Sequence, residues 1–265
     1  MTKIIAVLNH KGGVGKTTTT INLAAALRQK KKRVLAIDMD GQANLTESCG
    51  LSIEEEQTVY GAMRGEYPLP VIELENGLAV VPSCLDLSAA ESELINEPGR
   101  ELILKGLITK LLDSRKVDYI LINCPPSLGL LTLNALTTAD FLIIPVQAQY
   151  LPAKGMTQLV QTISKVKKYI NPDIKIDGML LTLVDSRTNL AKSTVEALRA
   201  NFGNQIRMYR TQIPIAVKAA ETSSKGKSIY AYEPNSTVSK AYAEFTKEVL
   251  ADGRKKERLH SHEAR

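Results

Sequence analysis

The segment that decides the fold lies near the amino terminus and reads His10-Lys11-Gly12-Gly13-Val14-Gly15-Lys16-Thr17-Thr18. It follows a short apolar run rich in β-branched residues, at residues 3–8, which predicts a strand. It precedes residues 17–30, where the apolar side chains recur at helical spacing. A glycine-rich turn between a strand and a helix, with two lysines in it, predicts a loop that binds phosphate groups.

Each residue type in this loop can contribute to holding phosphate. Glycines let the backbone turn tightly and direct successive N–H groups at phosphate oxygens, and the following helix adds its positive N-terminal end. Lys16 can neutralise the β- and γ-phosphates of ATP, and the Thr17 hydroxyl can ligate Mg²⁺. His10 stands where the usual Walker A pattern has its first glycine. The predicted cofactors are ATP and Mg²⁺, and the predicted nucleotide-binding residues are Lys11, Gly12, Gly13, Val14, Gly15, Lys16, Thr17 and Thr18.

Further along the chain, apolar runs typical of strands alternate with helical stretches. The next strand is predicted at residues 33–38, which completes a βαβ unit, and others are predicted at residues 78–81, 119–122, 141–146 and 178–183. Near-continuous apolar strands separated by helices predict an α/β fold, a doubly wound, mostly parallel sheet flanked by helices, as in P-loop NTPases. We expect a single domain over residues 1–252 and a flexible basic tail over residues 253–265.

The composition is that of a globular protein without a membrane span. The 265 residues are 44% hydrophobic and 23% charged, and no apolar run approaches the roughly 20 residues needed to cross a bilayer. The amino terminus lacks the layout of a secretory signal, so a cytoplasmic protein is expected. A net charge of +6 favours polyanionic partners, nucleic acid before membrane. Cys49, Cys84 and Cys124 lack the spacing of a disulfide framework or a zinc site.

Lys11 is the more specific feature of the loop, because one nucleotide needs no second cation from the same turn. With it, the segment resembles the deviant Walker A loop, K-G-G-x-G-K-T-T, of the ParA/Soj type of DNA-partition ATPase. The resemblance runs from residue 3 to about residue 250. It implies an ATP-dependent homodimer in which Lys11 reaches across the interface to the ATP of the other subunit. Together with Asp40, the two lysines Lys11 and Lys16 form the catalytic set that the resemblance implies.

Two more segments resemble the catalytic motifs of that family. Asp38-Met39-Asp40-Gly41-Gln42 resembles its D-x-D-P-Q switch, in which Asp40 would orient or activate the attacking water. Gly41 replaces the proline, which predicts a more mobile switch. Residues 118–129 resemble the Walker B strand and its loop, but Asn123 stands where the family has Asp, and Gln149 replaces a Glu. The implied metal-site residues are Thr17, Asp38 and Asn123, and the neutral amide predicts weaker metal binding or slower hydrolysis.

The carboxyl-terminal half carries two segments that resemble the family's DNA-binding regions. Residues 184–189 resemble a D-x-R-T-N loop, and residues 212–218 resemble an I-P-R-N-V-R segment. Arg187 and Lys218 match basic residues that bind DNA without sequence preference, and contact with phosphate requires only positive charge and reach. The resemblance implies a nucleoid-associated protein that segregates plasmid or chromosomal DNA and that a ParB-like, centromere-binding partner stimulates.

Three alternatives use the same nucleotide loop. A MinD-like, membrane-associated ATPase would need an amphipathic carboxyl-terminal helix, whereas residues 254–265 contain one Leu and no apolar face, so no membrane partner is expected. A redox protein like the nitrogenase iron protein would need a second cysteine suitably placed relative to Cys124. A ParA-like protein that positions another cellular cargo shares the whole ATPase core, and the sequence does not separate it from DNA partition.

Overall fold

The computed structural model describes the backbone of residues 2–148, 153–185, 187–216 and 226–263. Within these ranges an eight-stranded sheet forms the centre of the protein, in the order β3-β4-β2-β5-β1-β6-β7-β8. The strands are β1 (Lys3–Val7), β2 (Val34–Asp38), β3 (Ile72–Glu73), β4 (Ala79–Val81), β5 (Tyr119–Asn123), β6 (Phe141–Gln147), β7 (Lys175–Val184) and β8 (Met208–Pro214). Only the edge pair β3–β4 is antiparallel.

Helices connect the strands and cover both faces of the sheet. They are α1 (Lys16–Gln29), α2 (Asn44–Ser48), α3 (Val59–Met63), α4 (Ala90–Glu93), α5 (Ile103–Ser114), α6 (Leu130–Thr138), α7 (Ala153–Tyr169), α8 (Asn189–Phe202), α9 (Ile229–Tyr232) and α10 (Thr237–Glu263). Two 3₁₀ turns, Leu85–Ala89 and Arg100–Leu102, precede α4 and α5. The predicted α/β class with a doubly wound, mostly parallel sheet is confirmed.

The strand order brings the carboxyl ends of β1, β2 and β5 together. β1 pairs with β5 on one side and β6 on the other, and β5 also pairs with β2. In this register Asn123 lies beside Val7 and beside Asp38. The crossover direction reverses around β1, and open α/β sheets bind ligands outside the carboxyl ends of their strands at such a point. The loop after β1 is the glycine-rich loop of residues 10–15.

The core is divided into two layers by the alternation of side chains along the strands. Ala6 and Leu8 face one layer, which includes residues of α5, α6 and α7, and Ile5 and Val7 face the other. In the second layer the carboxyl-terminal helix α10 packs on α1 through fully buried aromatic side chains. The hydroxyls of Tyr242 and Thr19 lie 3.3 Å apart. The helix that directly follows the phosphate loop is therefore fixed by a segment more than 200 residues away.

Helix α10 extends into the carboxyl-terminal segment, to Glu263. The flexibility that the sequence predicts for residues 253–265 stays a prediction. Lys, Arg and Glu are good helix formers, and extending a helix that is already nucleated on the core requires no new nucleus. The predicted division between a domain of residues 1–252 and this segment stays a prediction.

Candidate nucleotide-binding site

The glycine-rich loop turns through left-handed backbone conformations at two positions. Gly13 has a φ of 71° and Gly15 has a φ of 84°, values that residues with a Cβ adopt only with strain. Gly15 is the residue immediately before α1, which begins at Lys16. The backbone therefore curls directly into the N-terminal end of a 14-residue helix, where unpaired N–H groups favour an anion.

Lys16 lies inside this curl rather than on the surface. It is 7% exposed, and its Nζ donates a hydrogen bond of 3.1 Å to the carbonyl oxygen of Lys11. Burial lowers the pKa of Lys16, and the charge of Asp40 partly offsets that effect. A partly desolvated ammonium group at the centre of a loop attracts an anionic ligand more strongly than the same group in water.

Neighbouring strand ends hold the loop in shape. The Thr182 hydroxyl, near the end of β7, donates to the carbonyl oxygen of Val14 at 2.8 Å. Asn9 donates its Nδ2 to the carbonyl oxygen of Pro145 at 2.7 Å and accepts from the backbone N–H of Lys11 at 3.1 Å. Sequence reasoning missed both residues, because Asn9 and Pro145 lie 136 positions apart and Thr182 and Val14 lie 168 positions apart. These bonds fix the shape of the loop, and a loop held in shape by its own contacts binds a ligand at a lower entropic cost.

His10 fits at the first glycine position of the Walker A pattern because a second glycine faces it. A Cβ added at Gly155, in the first turns of α7, would clash with the His10 ring and would lie 3.3 Å from its Cδ2. The His10 Nδ1 is buried and has no hydrogen-bond partner among the described residues. Burial lowers the pKa of His10, and the charges of Lys16 and Lys11 lower it further.

Asp38 is the buried acid of the site. It is 0% exposed, and its two carboxylate oxygens accept four hydrogen bonds between them. Oδ2 accepts from the Thr46 N–H at 3.0 Å and the Thr46 hydroxyl at 2.9 Å, and Oδ1 accepts from the Asp40 N–H at 3.3 Å and from Asn123 Nδ2 at 3.0 Å. Burial raises the pKa of Asp38 to about 6, although these hydrogen bonds favour its charged form.

Asp40 lies on the loop after β2, beside the phosphate loop. Its side chain is 7% exposed and accepts from the Gln42 N–H at 3.1 Å, an arrangement that fixes the turn locally. Its backbone carbonyl accepts from the Ser83 hydroxyl at 2.8 Å, so the end of β4 supports this loop. Ser83 is a third residue that sequence reasoning missed. Asp40 remains a candidate for holding the attacking water.

The polar groups at this edge fit Mg²⁺ in part. The Asn123 Oδ1 is a buried oxygen without a hydrogen-bond partner among the described residues, and Thr17 is half-buried in the first turn of α1. Asp38 offers negative charge, but its oxygens are already occupied by protein donors. No group of three or more His, Cys, Asp or Glu side chains in the described part of the chain could hold a metal by itself. Mg²⁺ usually binds through few protein oxygens together with substrate phosphates.

Comparison with known proteins decides the family. A family described as an AAA domain matches residues 2–176. The chain is 42% identical over 258 residues to the sporulation initiation inhibitor protein Soj of Bacillus subtilis (strain 168), covering 96% of this chain and 100% of Soj. It is 42% identical over 255 residues to the chromosome partitioning protein ParA of Myxococcus xanthus (strain DK1622), covering 94% and 88%. The chain belongs to the ParA/Soj family of P-loop ATPases.

A solved structure shares the whole fold of this ParA/Soj family member. The cobyrinic acid a,c-diamide synthase of Mycobacterium smegmatis, with bound ADP and magnesium, superposes with a TM-score of 0.85. It is 34% identical, and the match covers 96% of both chains. Its nucleotide and metal are those that the loop and the strand-end oxygens predict for a ParA/Soj protein.

Of the two predicted DNA-binding residues, the structure describes Arg187 only. The Arg187 side chain is 86% exposed, but its guanidinium forms two hydrogen bonds of 2.9 Å to the carboxylate of Asp185. This pair raises the pKa of Arg187 and lowers the pKa of Asp185 to about 2. Lys218 lies outside the described residues, as does Gln149. Arg187 therefore has the exposure that DNA contact requires, with a neighbouring anion that competes for it.

Two further observations concern membrane-spanning helices and the cysteines. Across the described residues, none of the helices combines the length and apolarity that crossing a bilayer requires. The three cysteines are free thiols, and Cys49 and Cys124 are buried. Burial raises the pKa of each of these two thiols to about 12, so neither is ionised near neutral pH.

Proposed function

We propose that this protein is a ParA-like partition ATPase that forms an ATP-sandwiched dimer, binds DNA without sequence specificity and hydrolyses ATP to segregate a plasmid or chromosome. The observation that carries the proposal is the difference in burial between the two loop lysines, Lys11 and Lys16. Lys16 is buried and turned into its own loop, where it serves the nucleotide of its own subunit. Lys11 remains partly exposed at the mouth of the loop, where it can serve a nucleotide in a second subunit.

Within one subunit, each group has a distinct part in binding ATP and Mg²⁺. The loop N–H groups and Lys16 hold the phosphates, and Thr17 and Asn123 supply oxygens for the metal and its waters. Bound Mg²⁺ neutralises the charge that develops on the transferred phosphoryl group. Asp40 accepts a hydrogen bond from the attacking water and aligns it with the terminal phosphate. Asp38 holds the Asn123 amide in place through their 3.0 Å hydrogen bond.

The steps after ATP binding depend on the second subunit. Closure of the dimer brings Lys11 of each chain to the ATP of the other and aligns Arg187 and Lys218 of both chains into one surface for DNA phosphates. Slow hydrolysis, stimulated by a ParB-like partner, opens the dimer and releases DNA. The proposed location is therefore the cytoplasm, in association with the nucleoid. A ParA-like positioner of another cargo would share every step except the cargo.

The similar proteins include both a biosynthetic enzyme and partition ATPases. The higher sequence identity of the partition ATPases, over nearly the whole chain, favours partition. The structure with a TM-score of 0.85 carries the name of a biosynthetic enzyme. Soj and ParA are more similar in sequence, at 42% identity over nearly the whole chain. The arrangement of Lys11 and Lys16 adds a reason that is independent of names.

A substitution of Lys11 tests the proposal directly. Lys11→Ala should bind ATP with Mg²⁺ as tightly as the wild type, because Lys16 and the loop are intact, but should stay monomeric in light scattering. Lys110→Ala, which removes an exposed lysine from α5, is the matched control and should dimerise normally. If Lys11→Ala dimerises on ATP like the control, Lys11 has no role in the partner subunit and the sandwich arrangement is wrong.

A further inference from the structure

Residues 85–93, the 3₁₀ turn Leu85–Ala89 followed by α4, form a short segment that touches two catalytic loops at once. We call it the bracing segment. It is anchored on the core, because Leu87 and Ala90 are both fully buried. Two of its polar side chains contact catalytic loops. Ser88 contacts the loop that carries Asp40, and Glu91 contacts the end of the loop that follows Asn123.

The contact with the Asp40 loop leaves little room for a side chain at position 41. A Cβ added at Gly41 would lie 3.0 Å from the backbone nitrogen of Ser88 and 3.3 Å from its Cβ, and would clash with its hydroxyl. Another Ser88 rotamer would relieve the clash with the hydroxyl, whereas the contact with the backbone nitrogen would stay tight. The Asp40 loop is therefore closely packed at Gly41, and the greater mobility that Gly41 predicts stays a prediction.

The contact with the second loop uses a carboxylate at a helix N-terminus. Glu91 Oε1 accepts from the Leu131 N–H, in the first turn of α6, at 3.3 Å. A Cβ added at Gly129, the residue before α6, would lie 2.6 Å from the Glu91 carboxyl carbon. Unpaired N–H groups and the helix dipole both favour an anion at this point. The loop of residues 124–129 is thus held at its far end by Glu91, and at its near end by the strand that carries Asn123.

The two braced loops meet at Lys16. Asp40 and Cys124 both lie within electrostatic range of the Lys16 ammonium group, and the charge of Asp40 partly offsets the effect of burial on the Lys16 pKa. The bracing segment itself reaches the outer ends of these loops, not the phosphate loop. Its contacts bear on the relative placement of the Asp40 and Asn123 side chains, whereas nucleotide binding depends on residues 11–18.

We propose that Ser88 and Glu91 are positioning residues for ATP hydrolysis, which hold the Asp40 loop and the loop after Asn123 in a fixed relation to each other. This inference rests on the proposed ATPase function. Hydrolysis needs the water-aligning group and the metal-site oxygen in register, and misplacement by about 1 Å can lower a rate on the order of 100-fold. Loosening the brace should therefore lower kcat for ATP by about 10- to 100-fold and change KM less than about threefold.

Variants of neighbouring carboxylates separate positioning from a general effect. Glu91→Ala should show the loss in kcat, and Glu91→Gln, which keeps an acceptor for the Leu131 N–H, should recover most of it. Glu93→Ala is the matched control, because Glu93 lies two residues away and accepts instead from the Tyr60 hydroxyl at 2.9 Å. It should retain the wild-type kcat. Equal kcat in Glu91→Ala and Glu93→Ala, or a rise in KM with unchanged kcat, would overturn the inference.

A glycine substitution approaches the same contact from the opposite side. Gly129→Ala should displace the Glu91 carboxylate and lower kcat in the same way, and combining it with Glu91→Ala should cause little further loss. Fully additive losses would overturn the inference, because the two residues would then act separately. A wild-type chain that binds ATP with Mg²⁺ but does not hydrolyse it would overturn the proposed function as well. Wild-type turnover with an unaffected Glu91→Ala would overturn the positioning role alone.

Discussion

Asn123→Asp is the substitution that tests the buried pair at the strand ends most sharply. In the wild type, Asn123 Nδ2 donates to Asp38 Oδ1 at 3.0 Å, and Asp38 is fully buried. The variant replaces this donor with a second carboxylate oxygen at about the same distance. Two unit charges about 3 Å apart repel by about 5 kcal/mol at an effective dielectric constant of about 20. That repulsion corresponds to roughly 4 pKa units for one member of the pair.

The sign of the pH dependence follows from a carboxyl pKa that is raised by folding. Such a group stabilises the fold fully below its unfolded pKa, and the stability is lost as pH rises through the folded pKa. In the wild type burial raises the pKa of Asp38 to about 6, so the loss ends near that pH. In Mg²⁺-free Asn123→Asp, a shift of roughly 4 units above an ordinary carboxyl pKa of about 4 moves the second ionisation of the pair to about pH 8. The loss should therefore continue from about pH 6 to about pH 8, a further decrease of about 3 kcal/mol in the free energy of unfolding.

Urea unfolding at several pH values, with and without Mg²⁺, measures this effect. The double variant Asp38→Asn with Asn123→Asp is the control, because it moves the single charge without adding one and should restore the wild-type pH range. Mg²⁺ should stabilise Asn123→Asp more than the wild type, and turnover with Mg²⁺ and ATP should rise, since the added anion strengthens the metal site. Identical wild-type and variant stability between pH 6 and 8 without Mg²⁺ would show that Asn123 does not face Asp38.

Two further predictions concern binding. Lys16→Ala should abolish ATP binding in calorimetry, because it removes the buried cation of the loop; unchanged affinity would contradict the nucleotide site. Asp185→Asn should raise DNA affinity in the ATP state by freeing Arg187 from its ion pair, whereas Arg187→Glu should lower it, both measured by fluorescence anisotropy. If neither variant changes DNA affinity while ATP binding is intact, the loop of residues 184–189 is not part of the DNA surface.

Local patterns in the sequence were sufficient for most of the sheet. The predicted strands at residues 3–8, 33–38 and 141–146 agree with β1, β2 and β6 within a residue at each end. β8 was not predicted, because Met208–Pro214 contains Arg210, Thr211 and Gln212 and so lacks a continuous apolar run. β8 is held in the sheet by its pairing with β7 and by the hydrogen bond that the Thr211 hydroxyl donates to Glu248, and neither contact is visible in the local sequence. The two-residue strand β3 is likewise too short to leave a periodic signal.

In the site, the sequence indicated the residues that would touch a nucleotide but not the residues that hold them. The loop, Asp38, Asp40 and Asn123 lie in or directly after strands; the loop is recognised by its glycines and lysines, and the resemblance to family motifs implies the other three. Thr46, Ser83 and Thr182 each bond to a partner that only the fold brings near, 8 to 168 positions away. Likewise, nothing local in the sequence indicates that Asp38 is saturated by four hydrogen bonds, because burial and satisfaction are properties of the packed structure.

The most direct test of the central claim is DNA affinity compared between nucleotide states. Anisotropy of a labelled, random-sequence duplex should show binding with Mg²⁺ and a slowly hydrolysed ATP analogue, and little or none with Mg²⁺ and ADP. The affinity should fall steeply and linearly on a log–log plot against salt, as contacts dominated by phosphate require. Equal affinity with ADP and the ATP analogue, or an affinity that does not depend on salt, would contradict the account of an ATP-controlled, DNA-binding dimer.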